Sequence, residues 1–223
     1  SEMCIRDRFR MDDLNEKILE GLSENQSKAV THDLKPLLVI AGPGSGKTRV
    51  MAHRIPWIVN NFQINPNQIL AVTFTNKAAK EMQLRVSKFL RKEATGLPWL
   101  GTFHSISAKI LRKHAEAAGL KSNFSIIDQD DQVRLIKNIC KAENIHIKQL
   151  SPIFILAIID RWKNKGFYPD EVVLKRKDIL EKSFLGIYKI YQQKLIDLNA
   201  ADFSDLILHT VKIFENHTDI SKM

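Results

Sequence analysis

Residues 41 to 48 read Ala41-Gly42-Pro43-Gly44-Ser45-Gly46-Lys47-Thr48, directly after the apolar run Leu37-Leu38-Val39-Ile40. A glycine-rich turn ending in Gly-Lys-Thr, set between a strand and a helix, is a cradle for phosphate. Glycine admits positive φ, which lets successive amides turn inward. A helix starting near Lys47 adds the positive end of its dipole, worth ~0.3–1 kcal/mol toward an exposed anion. Lys47 then reaches the β- and γ-phosphates, and Thr48 offers its hydroxyl to Mg²⁺. Ala41 stands where the strict pattern has Gly; the relaxed pattern accepts either. A glycine turn with no ligand is the competing reading.

The elements that must position this loop are legible from periodicity and caps. Asp12 to Glu20 reads as a short helix, and Ser23 as the N-cap of a second. Leu37 to Ile40 lacks alternation, so it reads as a strand buried on both faces. A helix runs from Lys47 to about Val59, with Pro56 expected to kink or end it near Ile55. Gln68 to Phe74 is the next strand, and Asn76 to Leu90 a helix with apolar positions at helical spacing. Glu93 to Pro98 is a loop. Trp99 to Phe103 is a third strand, and Ser105 to Ala118 a helix stopped by Gly119. Strands alternating with helices imply a parallel α/β sheet.

After Gly119 the pattern turns helical: Asp130 to Glu143, Pro152 to Lys163, Ile179 to Leu198 and Ala201 to Glu215, with one strand at Phe124 to Ile127. The chain has 223 residues and a formal net charge of +9, which suits a polyanionic partner such as nucleic acid. Cys4 and Cys140 form no metal-ligand spacing and no disulfide framework, and fit a reducing cytoplasm. No apolar run approaches the ~18 residues of a membrane span. Ser1 to Arg10 carry no apolar period and read as a non-native leader ahead of Met11.

Further strings accompany the loop: Leu22-Ser23-Glu24-Asn25-Gln26-Ser27-Lys28-Ala29, Thr73-Phe74-Thr75-Asn76-Lys77-Ala78-Ala79-Lys80-Glu81-Met82, Gly101-Thr102-Phe103-His104-Ser105, and Ala201-Asp202-Phe203-Ser204-Asp205-Leu206-Ile207. In this order, from about Leu22 onward, the chain resembles the amino-terminal part of the UvrD/Rep/PcrA helicases of superfamily 1. The resemblance implies an α/β fold, an incomplete RecA-like P-loop NTPase sheet domain with a mostly helical inserted subdomain. It implies that 11–117 begin the ATP-binding domain 1A, 118–200 form subdomain 1B, and 201–223 return toward 1A. It implies ATP and Mg²⁺ as cofactors, and single-stranded DNA and its junction with duplex as partners.

Residue by residue, the resemblance makes Gln26 the reader of adenine. A carboxamide donates and accepts at once, which favours ATP over GTP; read alone, Gln26 is a surface glutamine. Ala41 to Thr48 hold the phosphates, Lys47 and Thr48 are the catalytic candidates, and Arg49 lies at the nucleotide site. Phe74, Thr75, Asn76 and Lys77 contact single-stranded DNA. Phe74 stacks a base, worth ~1–3 kcal/mol, or else packs in the core; Thr75, Asn76 and a helix N-terminus donate to phosphates. Thr102, Phe103 and His104 are a second DNA-contact segment, where His104 serves contact or local structure and not catalysis. Asp202 and Asp205, three apart near a helix start, read as cap and structure. Arg161, Lys163, Lys165 and Lys175-Arg176-Lys177 read as a phosphate-contacting or solvated face.

Phosphoryl transfer to water needs more than a cradle: a carboxylate for the metal, a group to orient the water and an arginine. No apolar strand ending in Asp-Glu follows Ile207 before Met223. The expectation is a chain that binds ATP without useful hydrolysis, within a longer protein that couples hydrolysis to 3′-to-5′ translocation. Two other classes share the loop: a nucleotide kinase, and a non-catalytic nucleic-acid-binding module.

Overall fold

The computed structural model describes residues 13–90, 97–145, 151–174 and 179–221. The proposed leader, Cys4, most of the loop at 93–98 and Lys175 to Lys177 lie outside these residues. The chain divides into two compact units between Ile106 and Ser107.

In the first unit, helix α1 covers 13–19, α2 Glu24–Thr31 and α3 Lys47–Phe62. Strand β1 is Ala71–Thr73, α4 is Asn76–Val86, β2 is Leu100–Thr102, and α5 begins at Phe103 and runs on to Lys113 in the second unit. Ile18, Val30 and Val50 bury the contact of α1 and α2 with one side of α3. Ala52 and Ile55 on its other side join Ala71, Ala79, Met82, Val86 and Leu100. The helix carrying Lys47 is thus gripped from both sides. Burial also explains why α3 runs through Pro56 to Phe62 rather than stopping near Ile55. The proline removes one helical donor, but Ala52, His53, Ile55 and Pro56 are all buried along that stretch.

Strand β1 pairs in parallel with β2, Ala71 against Leu100 and Thr73 against Thr102. Both strands are shorter than the sequence suggests. Asn65 caps a 3₁₀ turn at Pro66–Gln68, which delays β1, while α5 starts at Phe103 and ends β2 early.

The largest departure is at Leu37 to Ile40. The run is irregular and exposed, Leu38 by 83% and Ile40 by 89%, so the doubly buried strand is not formed. Among the described residues β1 and β2 pair only with each other. A segment without a ladder gives its amides and carbonyls to water, and nothing offsets the entropy of holding it straight.

The second unit is mostly helical: α6 Gln129–Ala142, α7 Pro152–Lys163, α8 Ile179–Asp197, α9 Phe203–Asn216 and α10 Thr218–Ser221. Ile136, Cys140, Ile159, Tyr188, Tyr191 and Leu195 lie in its main core. Strand β3, Ser125–Ile126, pairs in parallel with β4, Ala200–Ala201. Ala201, read as the start of a helix, is in that strand, and α9 starts two residues later behind the Asp202 cap. The helix expected to reach Ala118 stops at Lys113; a 3₁₀ turn at Ala115–Ala118 follows, and Gly119, at φ +71, ends that turn. A mostly helical chain with small parallel sheets is an α/β fold.

Candidate functional site

The loop at 41–48 is built from its own backbone. Ser45 donates from N and Oγ to Gly42 O, at 3.4 and 2.7 Å. Gly44 and Gly46 adopt φ +75 and +84, conformations that strain any residue with a Cβ. Gly46 is the N-cap of α3, and the first helical bond runs from Val50 N to Gly46 O at 2.9 Å. The amides at 47–49 stand ahead of that ladder, at the positive end of a sixteen-residue helix. Gly42, Pro43, Gly44, Ser45 and Lys47 are exposed, while Ala41, Gly46, Thr48 and Arg49 are half-buried. The Lys47 ammonium folds over the loop and donates to Ala41 O and Gly42 O, at 3.0 and 2.7 Å. An anion that enters the loop offers Lys47 a charged acceptor in place of two neutral ones.

Gln26 comes to the loop from α2. Its Oε1 accepts from Ser23 N at 3.0 Å, its own N–H donates to Ser23 Oγ at 3.4 Å, and its Nε2 donates to Ser45 O at 3.0 Å. Arg49 Nη2 donates to Glu20 O at 3.4 Å, which ties α3 to the end of α1. The sequence reading did not pick out Arg54. Its guanidinium donates to Val30 O, His32 O and Asp33 O at 3.0, 2.8 and 2.7 Å, satisfying the carbonyl end of α2. His53 Nδ1 bonds Ile18 O. Arg54 and His53 thus fix α1 and α2 against the loop's helix, and no local sequence signal marks either.

Phe74 follows β1 directly and Phe103 follows β2. Their rings lie 5.8 Å apart at 57°, with Phe74 91% and Phe103 47% exposed. The core reading of Phe74 is therefore wrong; the ring stands in solvent at a strand end. Thr75 caps α4, its Oγ1 accepting from Ala78 N at 3.2 Å, and Asn76 and Lys77 open that helix exposed. Thr102 is buried, and its Oγ1 accepts from Ser105 N at 3.2 Å while Thr102 N donates to Ser105 Oγ at 2.9 Å. Its hydroxyl holds the start of α5, which aims Phe103 and the exposed His104.

Thr48 gives the loop one neutral hydroxyl on the first turn of α3. Among the described residues no group of three or more His, Cys, Asp or Glu could hold a metal ion. This donor set fits a cation that is bound chiefly by phosphate oxygens, as Mg²⁺ is beside nucleotides.

The second unit corrects one expectation outright. Lys163 is not on a basic face; its side chain is fully buried, 2.7 Å from both Asp202 Oδ2 and Asp205 Oδ1. Asp202 and Asp205 form the capping box of α9, each accepting from the other's amide. Tyr191 donates to Asp202 at 2.9 Å, Gln192 to Asp205 at 3.1 Å, and Tyr168 bonds His209 Nδ1. Burial alone would raise Asp205, but Lys163 and His209 beside it hold its carboxyl low. Burial, then Asp205, raises Asp202. Burial also holds the His209 imidazole below its ordinary value. The capping reading of the two aspartates stands, now with an ion pair that their spacing does not reveal.

Among the described residues no helix is long and apolar enough to cross a membrane. The profile of the UvrD/REP helicase N-terminal domain matches residues 22–223. The ATP-dependent DNA helicase PcrA of Staphylococcus epidermidis strain RP62A is 41% identical over 198 residues, covering 89% of this chain and 27% of that protein. PcrA of Staphylococcus aureus strain Mu50 is 39% identical over 203 residues, covering 91% of this chain and 28% of that protein. The chain therefore spans a little over a quarter of the curated relatives it matches. Its match to the family profile holds from Leu22 through the loop, the aromatic pair and the α9 cap, and on that ground the chain belongs to the UvrD/REP helicase N-terminal domain family.

Proposed function

We propose that this chain is the amino-terminal portion of an ATP-dependent DNA helicase, binding ATP at 41–48 and an unpaired DNA strand at Phe74 and Phe103. One observation carries the reading. A cradle led by Lys47 and an exposed aromatic pair at two adjacent strand ends occur in one compact unit. An aromatic face held in water at a strand end is poor for stability and well suited to a base. A kinase reading gives that pair no task.

In this account Gly42 to Lys47 enclose the phosphates, Lys47 neutralises them, and Thr48 sets its hydroxyl toward the Mg²⁺ they carry. Gln26 retains one N–H and one lone pair for adenine after its bonds to Ser45 and Ser23. Thr75, Asn76 and Lys77 meet the DNA backbone beside Phe74, and His104 meets it beside Phe103. Residues 11–117 then belong to a RecA-like P-loop NTPase domain and 118–200 to its helical insertion, in a cytoplasmic protein that moves 3′-to-5′ toward a duplex junction. The 223-residue chain binds Mg-ATP but turns it over poorly. Phosphoryl transfer to water needs a metal carboxylate and a water-orienting group; Lys47, Thr48 and Arg49 are neither, and Gln26 is committed to Ser23, Ser45 and the adenine.

The test is ATP affinity with and without single-stranded DNA. Linkage requires that DNA tightening ATP binding be matched by ATP tightening DNA binding to the same degree. Such reciprocal shifts support the helicase reading. A small-molecule acceptor that tightens ATP, with DNA inert, supports a kinase; DNA binding with no nucleotide binding supports a non-catalytic module.

A further inference from the structure

Gln26 makes more bonds than a base reader needs. Its Nε2 donates to Ser45 O, inside the phosphate loop, from nineteen residues away in sequence. Its Oε1 is held at the same time by Ser23 N at the start of α2. The helix behind it is fixed at the far end by Arg54, which donates to the carbonyls of Val30, His32 and Asp33. The carboxamide is therefore a strut between an anchored helix and a loop of exposed residues.

The strut acts on one peptide plane. The Ser45 carbonyl and the Gly46 N–H belong to the same planar trans unit and point in opposite directions. Holding the carbonyl toward Nε2 fixes the Gly46 N–H on the opposite side. Gly46 is also pressed close to the same amide: a Cβ there would lie 2.8 Å from Gln26 Nε2, at a φ of +84. The loop's geometry and the glutamine's position are thus mutually determined.

We propose that Gln26 is a positioning residue for the phosphates of a nucleoside triphosphate, tethering Ser45 so that the loop's amides are set before the anion arrives. The inference rests on the reading of 41–48 as a phosphate cradle and adds a second task to Gln26, independent of the base. A residue that only reads a base has no effect on a ligand that lacks one.

Inorganic tripolyphosphate with Mg²⁺ is that ligand. Its affinity is measured by calorimetry on the 223-residue chain and on Gln26→Ala, Gln26→Met, Glu24→Ala and Lys47→Ala, with thermal unfolding of each to confirm folding. Loss of one neutral hydrogen bond predicts that Gln26→Ala and Gln26→Met weaken tripolyphosphate by roughly three- to tenfold. Glu24→Ala removes an acid from the first turn of the same helix and breaks its ion pair with Lys28. It destabilises α2 without lowering anion affinity. Unchanged tripolyphosphate affinity in both Gln26 variants, with a lost preference for ATP over GTP, overturns the tether and leaves a base reader. Equal weakening by Glu24→Ala overturns it in favour of a general effect of α2. A wild-type chain that takes up no tripolyphosphate, with Lys47→Ala no different, overturns the cradle and the tether with it.

Discussion

Replacing Lys163 by Met tests how the second unit is held together. The ammonium is fully buried, bonded at 2.7 Å to two carboxylates that are themselves buried. Methionine fills most of the space but leaves Asp202 and Asp205 facing each other without a cation. Breaking a buried pair by removing one partner costs about 3–5 kcal/mol. For a unit of about a hundred residues this lowers the melting temperature by more than about 10 °C. The triple variant Lys163→Met, Asp202→Asn, Asp205→Asn keeps oxygen acceptors for the α9 cap and for Tyr191 and Gln192, yet carries no charge. It is predicted to be more stable than Lys163→Met alone, a non-additivity expected of groups in one network. The assay is urea unfolding followed by circular dichroism, with hydrogen exchange of the α9 amides to place the effect. A loss below about 1 kcal/mol for Lys163→Met refutes the reasoning, because it means the carboxylates reach water or shed their charge without cost.

Other expectations follow from the same geometry. His209 is buried and its imidazole is held below its ordinary value, so the unfolded chain takes up the proton first. Stability of the second unit is therefore present above about pH 6.5 and falls as pH drops below it; His209→Gln flattens that slope in pH-dependent melting, and an unchanged slope contradicts the assignment. Phe74→Ala leaves stability within about 0.5 kcal/mol, since the ring is exposed. It weakens single-stranded DNA by about 1–3 kcal/mol in fluorescence anisotropy; a large stability loss with unchanged DNA affinity reverses the interpretation. Thr75→Ala removes the cap of α4 and costs ~1 kcal/mol in denaturant unfolding, and a silent variant means the cap is replaced by water.

What the sequence disclosed and what it hid divide along the reach of the forces involved. The loop was legible because its chemistry is local: two glycines at positive φ, a lysine and a threonine at fixed spacing. The helix start at Ser23 was legible for the same reason, a side chain answering an amide three residues on, and Asp202 was legible as a cap although its helix begins two residues after the expected Ala201. Leu37 to Ile40 misled because apolar composition says a segment can be buried, while a strand exists only where another strand supplies the ladder. Lys163 misled because it lies among Arg161 and Lys165, and only the tertiary fold brings Asp202 to it across thirty-nine residues. Phe74 could not be placed from sequence, since a phenylalanine at a strand end serves a core or a ligand equally well. Its 91% exposure and its pairing with Phe103 exclude the core and leave the ring open to a base.

Triphosphate binding at Lys47 is the step on which the proposed function turns. Calorimetric titration of Mg-ATP into the 223-residue chain is predicted to show a saturable heat that Lys47→Ala lowers by at least about tenfold in affinity, the scale of a charge-assisted contact. No heat from the wild-type chain, or equal affinity in the two proteins, contradicts it.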